Sequence, residues 1–410
     1  MLDGSVGGLV VTPIPTAGGT LSADCLDEAW RAVGGWNPSQ PVILDLTASA
    51  FLEHDTLLFL GGIARLSSMS GGRIQLRLRQ TRRLFDFLRS WRFFEFFAVA
   101  AGQSIADSLT RDSWRYLQSI NVKAPRYVRV TAVPGGGYES LLLRQQFAVT
   151  AIDLKVNPMR AATVARDRWL EQHLVGILDR LLDRGDRVVD GRRVATHVVL
   201  EIVLNAVAHP EAQMAFLSSQ IDPPVRGSDT RRLRLAIWDD GLSLAETLGA
   251  ALIRAGSITS AAYGSVREEF EVEVQRGPGE PRLLRLVGTD PKLPRDPDLL
   301  NVVAFMMGVT SRPHEKRPIS DSRRALRSET SPLSEQVLDQ GGLGLYLVRK
   351  TAIDLFGGTI DYKTGSNRYR IAGTDRPGIY KVTSANSEAS GCPIRGNLLE
   401  IIIPLAGDHA

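Results

Sequence analysis

Three segments of this 410-residue chain carry polar groups in arrangements that can do chemistry. In Leu200-Glu201-Ile202-Val203-Leu204-Asn205-Ala206-Val207-Ala208-His209, the polar residues Glu201, Asn205 and His209 recur at every fourth position. On a helix that spacing stacks them on one stripe, while Val198, Val199, Ile202, Val203 and Val207 supply apolar faces. Polar groups on an otherwise apolar helix need partners, because burying them unpaired is costly. An amide and a carboxylate so placed offer oxygen ligands suited to Mg²⁺ and its waters. A stripe that simply faces water satisfies the same pattern.

The second segment is Leu233-Arg234-Leu235-Ala236-Ile237-Trp238-Asp239-Asp240-Gly241-Leu242-Ser243. It predicts an apolar strand that delivers Asp239 and then Gly241 at its end. Such a carboxylate can accept a hydrogen bond from an exocyclic amine, and the glycine lets the backbone approach a flat base. An ordinary Asp-Gly turn is the alternative. In the third, Gln340-Gly341-Gly342-Leu343-Gly344-Leu345-Tyr346, glycines run directly into a predicted helix. The free N–H groups of Gly342, Leu343, Gly344 and Leu345, with the helix dipole, form a place for phosphate. A plain glycine-rich loop is again the simpler account of this segment alone.

The elements that must position these groups form two unlike halves. In the first, short buried strands are expected at 42–46 and 74–78, with amphipathic helices at 56–66 and 81–89. The aromatic cluster Trp91, Phe93, Phe94, Phe96 and Phe97 follows. Strand, helix, strand, helix implies a small parallel or mixed sheet with helices packed on it. Strand candidates at 126–133 and 141–154 flank the turn Pro134-Gly135-Gly136-Gly137. Helices are expected at 159–184, 192–209 and 343–356, and strands at 233–238, 359–363 and 398–404. The domains expected are therefore 1–100, a connecting region 101–157, and 158–410.

Composition narrows the functional class. Hydrophobic residues make up 43% and charged residues 23%, as in a globular protein, and no apolar run is long enough to span a bilayer. The start, Met1-Leu2-Asp3-Gly4, has neither a basic region nor an apolar stretch, so no signal peptide is expected. Two distant cysteines, Cys25 and Cys392, argue against a disulfide framework and fit a reducing cytoplasm. A net charge of +4 is too mild to support nucleic-acid binding. The chain has no GxxxxGK[ST], HExxH or CxxC, which removes a P-loop and leaves a zinc site without support.

Taken in order, ExxxNAxxH on a helix, a strand ending in DxG and GLGLxxVR opening a helix resemble the three nucleotide-binding boxes of the GHKL superfamily of ATP-binding domains. Phe356-Gly357-Gly358-Thr359-Ile360 and Gly396-Asn397-Leu398-Leu399-Glu400 through Leu405 resemble that family's closing strands. The resemblance covers roughly residues 155–406. It implies an α/β sandwich, a mixed sheet with helices on one face, that binds ATP with Mg²⁺. Glu201 then matches the residue that polarises attacking water, Asn205 the Mg²⁺ ligand, Asp239 the adenine acceptor and Gly241 the glycine beside the base. Gly342 and Gly344 match the phosphate turn, and His209 resembles a histidine of the serine-kinase branch. Ser243 replaces the second glycine of its box, and Gln340 stands where the third box usually begins with glycine. Residues 244–340 correspond to an unusually long ATP lid, with strand-like runs at 269–274 and 283–287. Arg312, Lys316, Arg317, Arg323, Arg324 and Arg327 could reach phosphates on closure or form a solvated basic loop.

Residues 42–97 resemble a STAS domain, the fold of anti-sigma factor antagonists. Glu53-His54-Asp55-Thr56 occupies the turn that carries the phosphorylated serine in those proteins, with Asp55 at the acceptor position and Thr56 the only hydroxyl. A sensor histidine kinase would need an acceptor on a helical hairpin; His173 is the only candidate, and no acid follows it. Three functions remain open. One is an ATP-dependent regulatory switch or serine/threonine kinase of the anti-sigma type, with its STAS-like partner fused to it. Another is an ATPase clamp, in which Glu201 activates water. The third is a non-catalytic nucleotide-sensing module. All three imply a protein partner, whether a regulatory protein or a second subunit in a homodimer, and none implies a membrane.

Overall fold

The computed structural model describes residues 10–120 except 17 and 92, 146–153, 198, 201, 202, 205, 212–222, 231–255, 269–274, 282–287, 297–306, 309, 344–376, 379–384 and 391–405. Among these residues no helix is long and apolar enough to cross a membrane. The architecture is α/β. The helix expected at 159–184 and the strand at 126–133 lie outside the described residues.

The N-terminal layer is built on a three-stranded parallel sheet, in the order β1 (Val10–Pro13), β3 (Val42–Leu46), β5 (Ile74–Leu78). A short parallel pair, β2 (Thr20–Leu21) and β4 (Phe51–Leu52), sits apart from it. Helix α1 (Ala23–Ala32) starts where Ser22 Oγ accepts from the Cys25 amide, and it carries Asp24 in its first turn and Arg31 in its last. Helices α2 (His54–Met69) and α3 (Arg82–Ser90) lie close to their expected positions.

The aromatic cluster forms a helix of its own, α4 (Phe93–Ala101), with Phe93, Phe94, Phe96 and Phe97 all buried. Only Glu95 and Val99 on it are exposed, and Glu95 is its one polar residue, so little helical period is visible in its sequence. Helix α5 (Arg111–Ile120) follows and closes against β5, where Ser113 Oγ accepts from the Leu78 amide at 3.0 Å. The N-terminal layer thus runs to residue 120.

The C-terminal layer is a nine-stranded mixed sheet. Its order is β10 (Arg282–Val287), β9 (Glu269–Val274), β13 (Ile379–Ser384), β12 (Asn367–Gly373), β11 (Thr359–Gly365), β14 (Ile394–Leu405), β8 (Arg231–Asp239), β7 (Met214–Asp222), β6 (Gln146–Asp153). Every pairing is antiparallel except β13 with β9. Helices α6 (Leu244–Ala255), α7 (Pro297–Val303) and α8 (Gly344–Arg349), the last continued by a π-helical turn Lys350–Leu355, contribute to the core with the front face. The described parts of the segment expected as a lid therefore belong to the core. Leu248, Ala251, Phe270, Leu300 and Phe305 are buried in the same core as Leu235 and Ile401.

The back face of this sheet is covered by the N-terminal layer, so helices lie on both faces rather than one. Phe96 of α4 meets Phe216 edge-on with ring centroids 4.2 Å apart, and Phe216 stacks on Trp238. Helix α2 is the shared wall, with Leu57, Leu58, Phe59, Leu60, Ile63 and Ala64 at most 1% exposed. Two glycines let it come this close. A Cβ at Gly61 would lie 2.1 Å from Phe96 Cζ, and one at Gly62 would lie 2.9 Å from Ile394 Cβ.

Beside this apolar contact lies an ionic one. Arg234 grips Glu400 through two bonds of 2.8 and 2.9 Å and lies 3.6 Å from Asp55. Arg368 meets Asp24 at 2.5 Å and Asp55 at 3.8 Å. Lys363, over the Phe59 ring, donates to Asp27 at 3.2 Å, and burial pushes its ammonium pKa down against the pull of that carboxylate.

Two predictions follow from this junction. Gly62→Val is expected to cost about 1–3 kcal/mol in urea unfolding, because Ile394 and Trp238 cannot both retreat from the added carbons. Glu53 is held above the usual glutamate range by burial and by Asp55 beside it. Its native state therefore binds a proton more readily than the unfolded chain does, and its ionisation lowers stability as pH rises through that window. Glu53→Gln should raise the thermal midpoint at neutral pH, with the gain vanishing once the medium is acid enough to protonate the glutamate in both states.

Candidate functional site

Strand β8 carries the first site residue to the front of the sheet. Its odd-numbered side chains, Leu233, Leu235, Ile237 and Asp239, share the front face, and Asp239 is 4% exposed. Asp239 Oδ1 accepts from the Gly241 amide and from Asn397 Nδ2, both at 3.0 Å. Asn397 faces Asp239 directly in the β8–β14 register. Its Nδ2 also donates to the Leu242 carbonyl at 2.8 Å, and its Oδ1 accepts from the Tyr362 hydroxyl at 2.6 Å. Tyr362 OH in turn accepts from the Leu244 amide at 3.3 Å. Burial pushes the Tyr362 phenol well above its ordinary value, which keeps it a neutral donor to Asn397.

These groups line one cleft. Asn205, Asp239, Tyr362 and Asn397 are its polar wall; Ile202, Ile237, Leu244, Phe305, Leu345 and Leu399 are its apolar wall. A few polar groups converging in an apolar hollow are typical of small-molecule sites. The backbone around Asp239 is tightly fitted as well. A Cβ at Gly396, where φ is 87°, would fall 1.7 Å from the Asp239 carbonyl oxygen, so only glycine lets β14 pass.

The start of α8 comes to the same place. A Cβ on Gly344 would meet Asn205 Oδ1 and Glu201 Oε2, each at 3.1 Å. The first and third segments are thus in contact although the sequence separates them widely. Glu201 is 3% exposed, and Asn205 Nδ2 is buried with no hydrogen-bond partner among the described residues. A buried amide left this way at the rim of a cleft is a group that a ligand or a water completes.

Of the expected site residues, Glu201, Asn205, Asp239, Gly241, Gly344 and Leu345 are brought together, while His209, Gly342 and Leu343 lie outside the described residues, as do the basic residues of 312–327. No group of three or more His, Cys, Asp or Glu able to hold a metal occurs among the described residues. Mg²⁺ held mainly by phosphates and water needs no such cage, and the Asn205 amide oxygen and the Glu201 carboxylate beside Gly344 fit that mode.

The departure at Ser243 has a local cause. Ser243 Oγ accepts from the Glu246 amide at 3.0 Å and Glu246 Oε2 accepts from the Ser243 amide at 2.7 Å. This reciprocal capping box starts α6. Sequence reasoning missed Asn397 and Tyr362. The signal for Asn397 was present: it is a polar residue in phase with the inward-facing Leu399, Ile401 and Ile403. No protein-family model, curated protein or solved structure matches this chain.

Asn397→Ala would leave Asp239 Oδ1, the Leu242 carbonyl and the Tyr362 hydroxyl each short of a partner. It is expected to cost about 1–3 kcal/mol in ligand-free denaturant unfolding, and Tyr362→Phe, which removes fewer bonds, about 1 kcal/mol.

Proposed function

We propose that the C-terminal layer is an ATP-binding domain of GHKL type and that the chain is a nucleotide-controlled switch. The observation that carries this reading is the meeting of three remote segments, at Asp239, at Glu201 with Asn205, and at Gly344, around a single cleft. Each segment then has the role its chemistry suits. Asp239, held rigid by Asn397 and the Gly241 amide, accepts from the exocyclic amine of adenine, and the apolar wall takes the ring. Asn205 holds Mg²⁺, which neutralises phosphate charge when bound. The backbone entering α8 lies where the phosphates run, and Glu201 is placed to orient or deprotonate a water if the site hydrolyses ATP.

The parallel β1–β3–β5 sheet flanked by helices is in keeping with a STAS-like N-terminal domain. The position of its acidic turn favours the switch over phosphorylation of this turn within the same chain. Asp55 and Thr56 are 5% and 0% exposed. They lie on the back of the sheet, where Arg234 and Arg368 approach Asp55, with the strands between them and the cleft. Asp55 thus acts as a permanent anion at the junction rather than as a phosphate acceptor. The remaining readings, a kinase acting on a separate protein and an ATPase clamp, share the same cleft.

Calorimetric titration of Mg-ATP into the wild type and Asp239→Asn tests the proposal, with phosphate release followed on the same samples. Wild type should bind, and Asp239→Asn should bind more than about tenfold more weakly, since a hydrogen bond to a charged group is worth about 1.5–3 kcal/mol. Turnover lost in Glu201→Ala would favour the ATPase clamp. A well-folded wild type that binds no nucleotide would sink the reading.

A further inference from the structure

We propose that Arg65, a residue of the N-terminal layer, is a positioning residue of the nucleotide site; this rests on the nucleotide reading above. Asp239 and Asp240 are consecutive and face opposite sides of the sheet. Asp239 borders the cleft. Asp240 is 2% exposed and points to the back. Its Oδ2 accepts from Arg65 Nε at 2.9 Å, with Arg65 Nη2 also 2.9 Å away. Its Oδ1 accepts from the Gln213 and Met214 amides at 2.7 and 2.9 Å, and Arg65 Nη2 donates onward to Gln213 Oε1 at 3.2 Å. The Asp240 carbonyl accepts from Arg395 Nε, and its amide donates to Met214. One carboxylate thereby ties together α2, the start of β7 and the turn after β8.

The peptide unit between Asp239 and Asp240 is planar, so the turn cannot rotate at one residue without moving the other. Gly396 already presses on the Asp239 carbonyl from β14, and Asn397 fixes its carboxylate. Arg65 supplies the remaining restraint, from a domain that does not touch the cleft. Removing its charge leaves the Asp240 carboxylate buried with only neutral donors, a state that relaxes by drawing in water or shifting the backbone. A shift of a fraction of an ångström is enough to misplace an acceptor whose function depends on hydrogen-bond geometry.

Other charges also join the two layers, and they separate positioning from docking. Arg368 meets Asp24 and Asp55 but sits on β12, with β11 and β14 between it and β8. If Arg65 merely docks the layers, Arg65→Met and Arg368→Met should behave alike.

Mg-ATP affinity and thermal midpoint are measured on the full chain for wild type, Arg65→Met, Arg65→Lys, Asp240→Asn and Arg368→Met. The expected result is a loss of affinity of about tenfold in Arg65→Met and in Asp240→Asn, within the usual range for coupling between separate sites. Arg65→Lys should recover part of it, and Arg368→Met should lower the midpoint while leaving affinity unchanged. Should Arg65→Met fail to fold, Asp240→Asn, which keeps an acceptor for the Gln213 and Met214 amides, decides the question. Equal affinity in folded Arg65→Met and wild type would overturn the assignment, as would an equal loss in Arg368→Met. Absence of binding by the wild type would instead remove the nucleotide reading beneath it.

Discussion

Because strand side chains alternate, β8 sends Leu233, Leu235, Ile237 and Asp239 to one side of the sheet and Arg234, Ala236 and Trp238, followed by Asp240 just past its end, to the other, and both sides are covered. The rest of the molecule follows from this double burial. A sheet covered on one side would show polar residues at every second position, but here both sets must find partners. The front set closes on α6, α7 and α8 and leaves one hollow where polar groups converge. The back set closes on α2 and α4, through aromatic rings at one end and ion pairs at the other.

The two halves of the back face serve different ends. The contact of Phe96, Phe216 and Trp238 removes large apolar areas from water and drives association of the layers. The cluster of Asp24, Asp27, Asp55, Asp361 and Glu400 with Arg234, Lys363, Arg368 and Arg370 adds little net stability, since desolvation offsets much of the attraction. What it fixes is position. Breaking a buried pair such as Lys363–Asp27, which joins the two layers, typically costs about 3–5 kcal/mol, so a shift of the N-terminal layer that separates them is penalised. Asp45, near the end of the central strand β3 and partly buried, shows a milder version. Although partial burial works in the opposite direction, its bonds to Thr47 and Arg77 draw its pKa down.

Much of this was legible in the residues. Short apolar runs marked β3, β5, β8 and β14, and the alternating Glu269-Phe270-Glu271-Val272 marked β9. Spacing within a few residues marked Glu201 with Asn205, and Asp239 with Gly241. What stayed hidden depends on partners far away in sequence. Asn397 and Asp239 are 158 residues apart and meet only because β14 lies against β8. Helix α4 escaped because Glu95 is its only polar residue, too little to show a helical period. Strand β7 escaped because Ser218-Ser219-Gln220 interrupts its apolar run. Helix α6 carried a readable start in Ser243-Leu244-Ala245-Glu246, but that signal lay inside a stretch expected to be a loop.

The place of β14 has a consequence for how the protein is made. This strand, residues 394–405, inserts between β11 and β8 in the middle of the sheet, although every other described strand precedes it in the chain. During synthesis β8 is complete about 150 residues earlier, which at roughly 5–20 residues per second leaves an interval of about 8–30 s. Throughout that interval the β8 edge that β14 will occupy stays open, joined by the edge of β11 once residue 365 is made, and such edges can pair with other chains. α2 also lacks Ile394 and Leu398 to cover it. The decisive step in folding the C-terminal layer therefore waits for residues 394–405, and a nascent chain stalled short of residue 394 keeps those edges exposed.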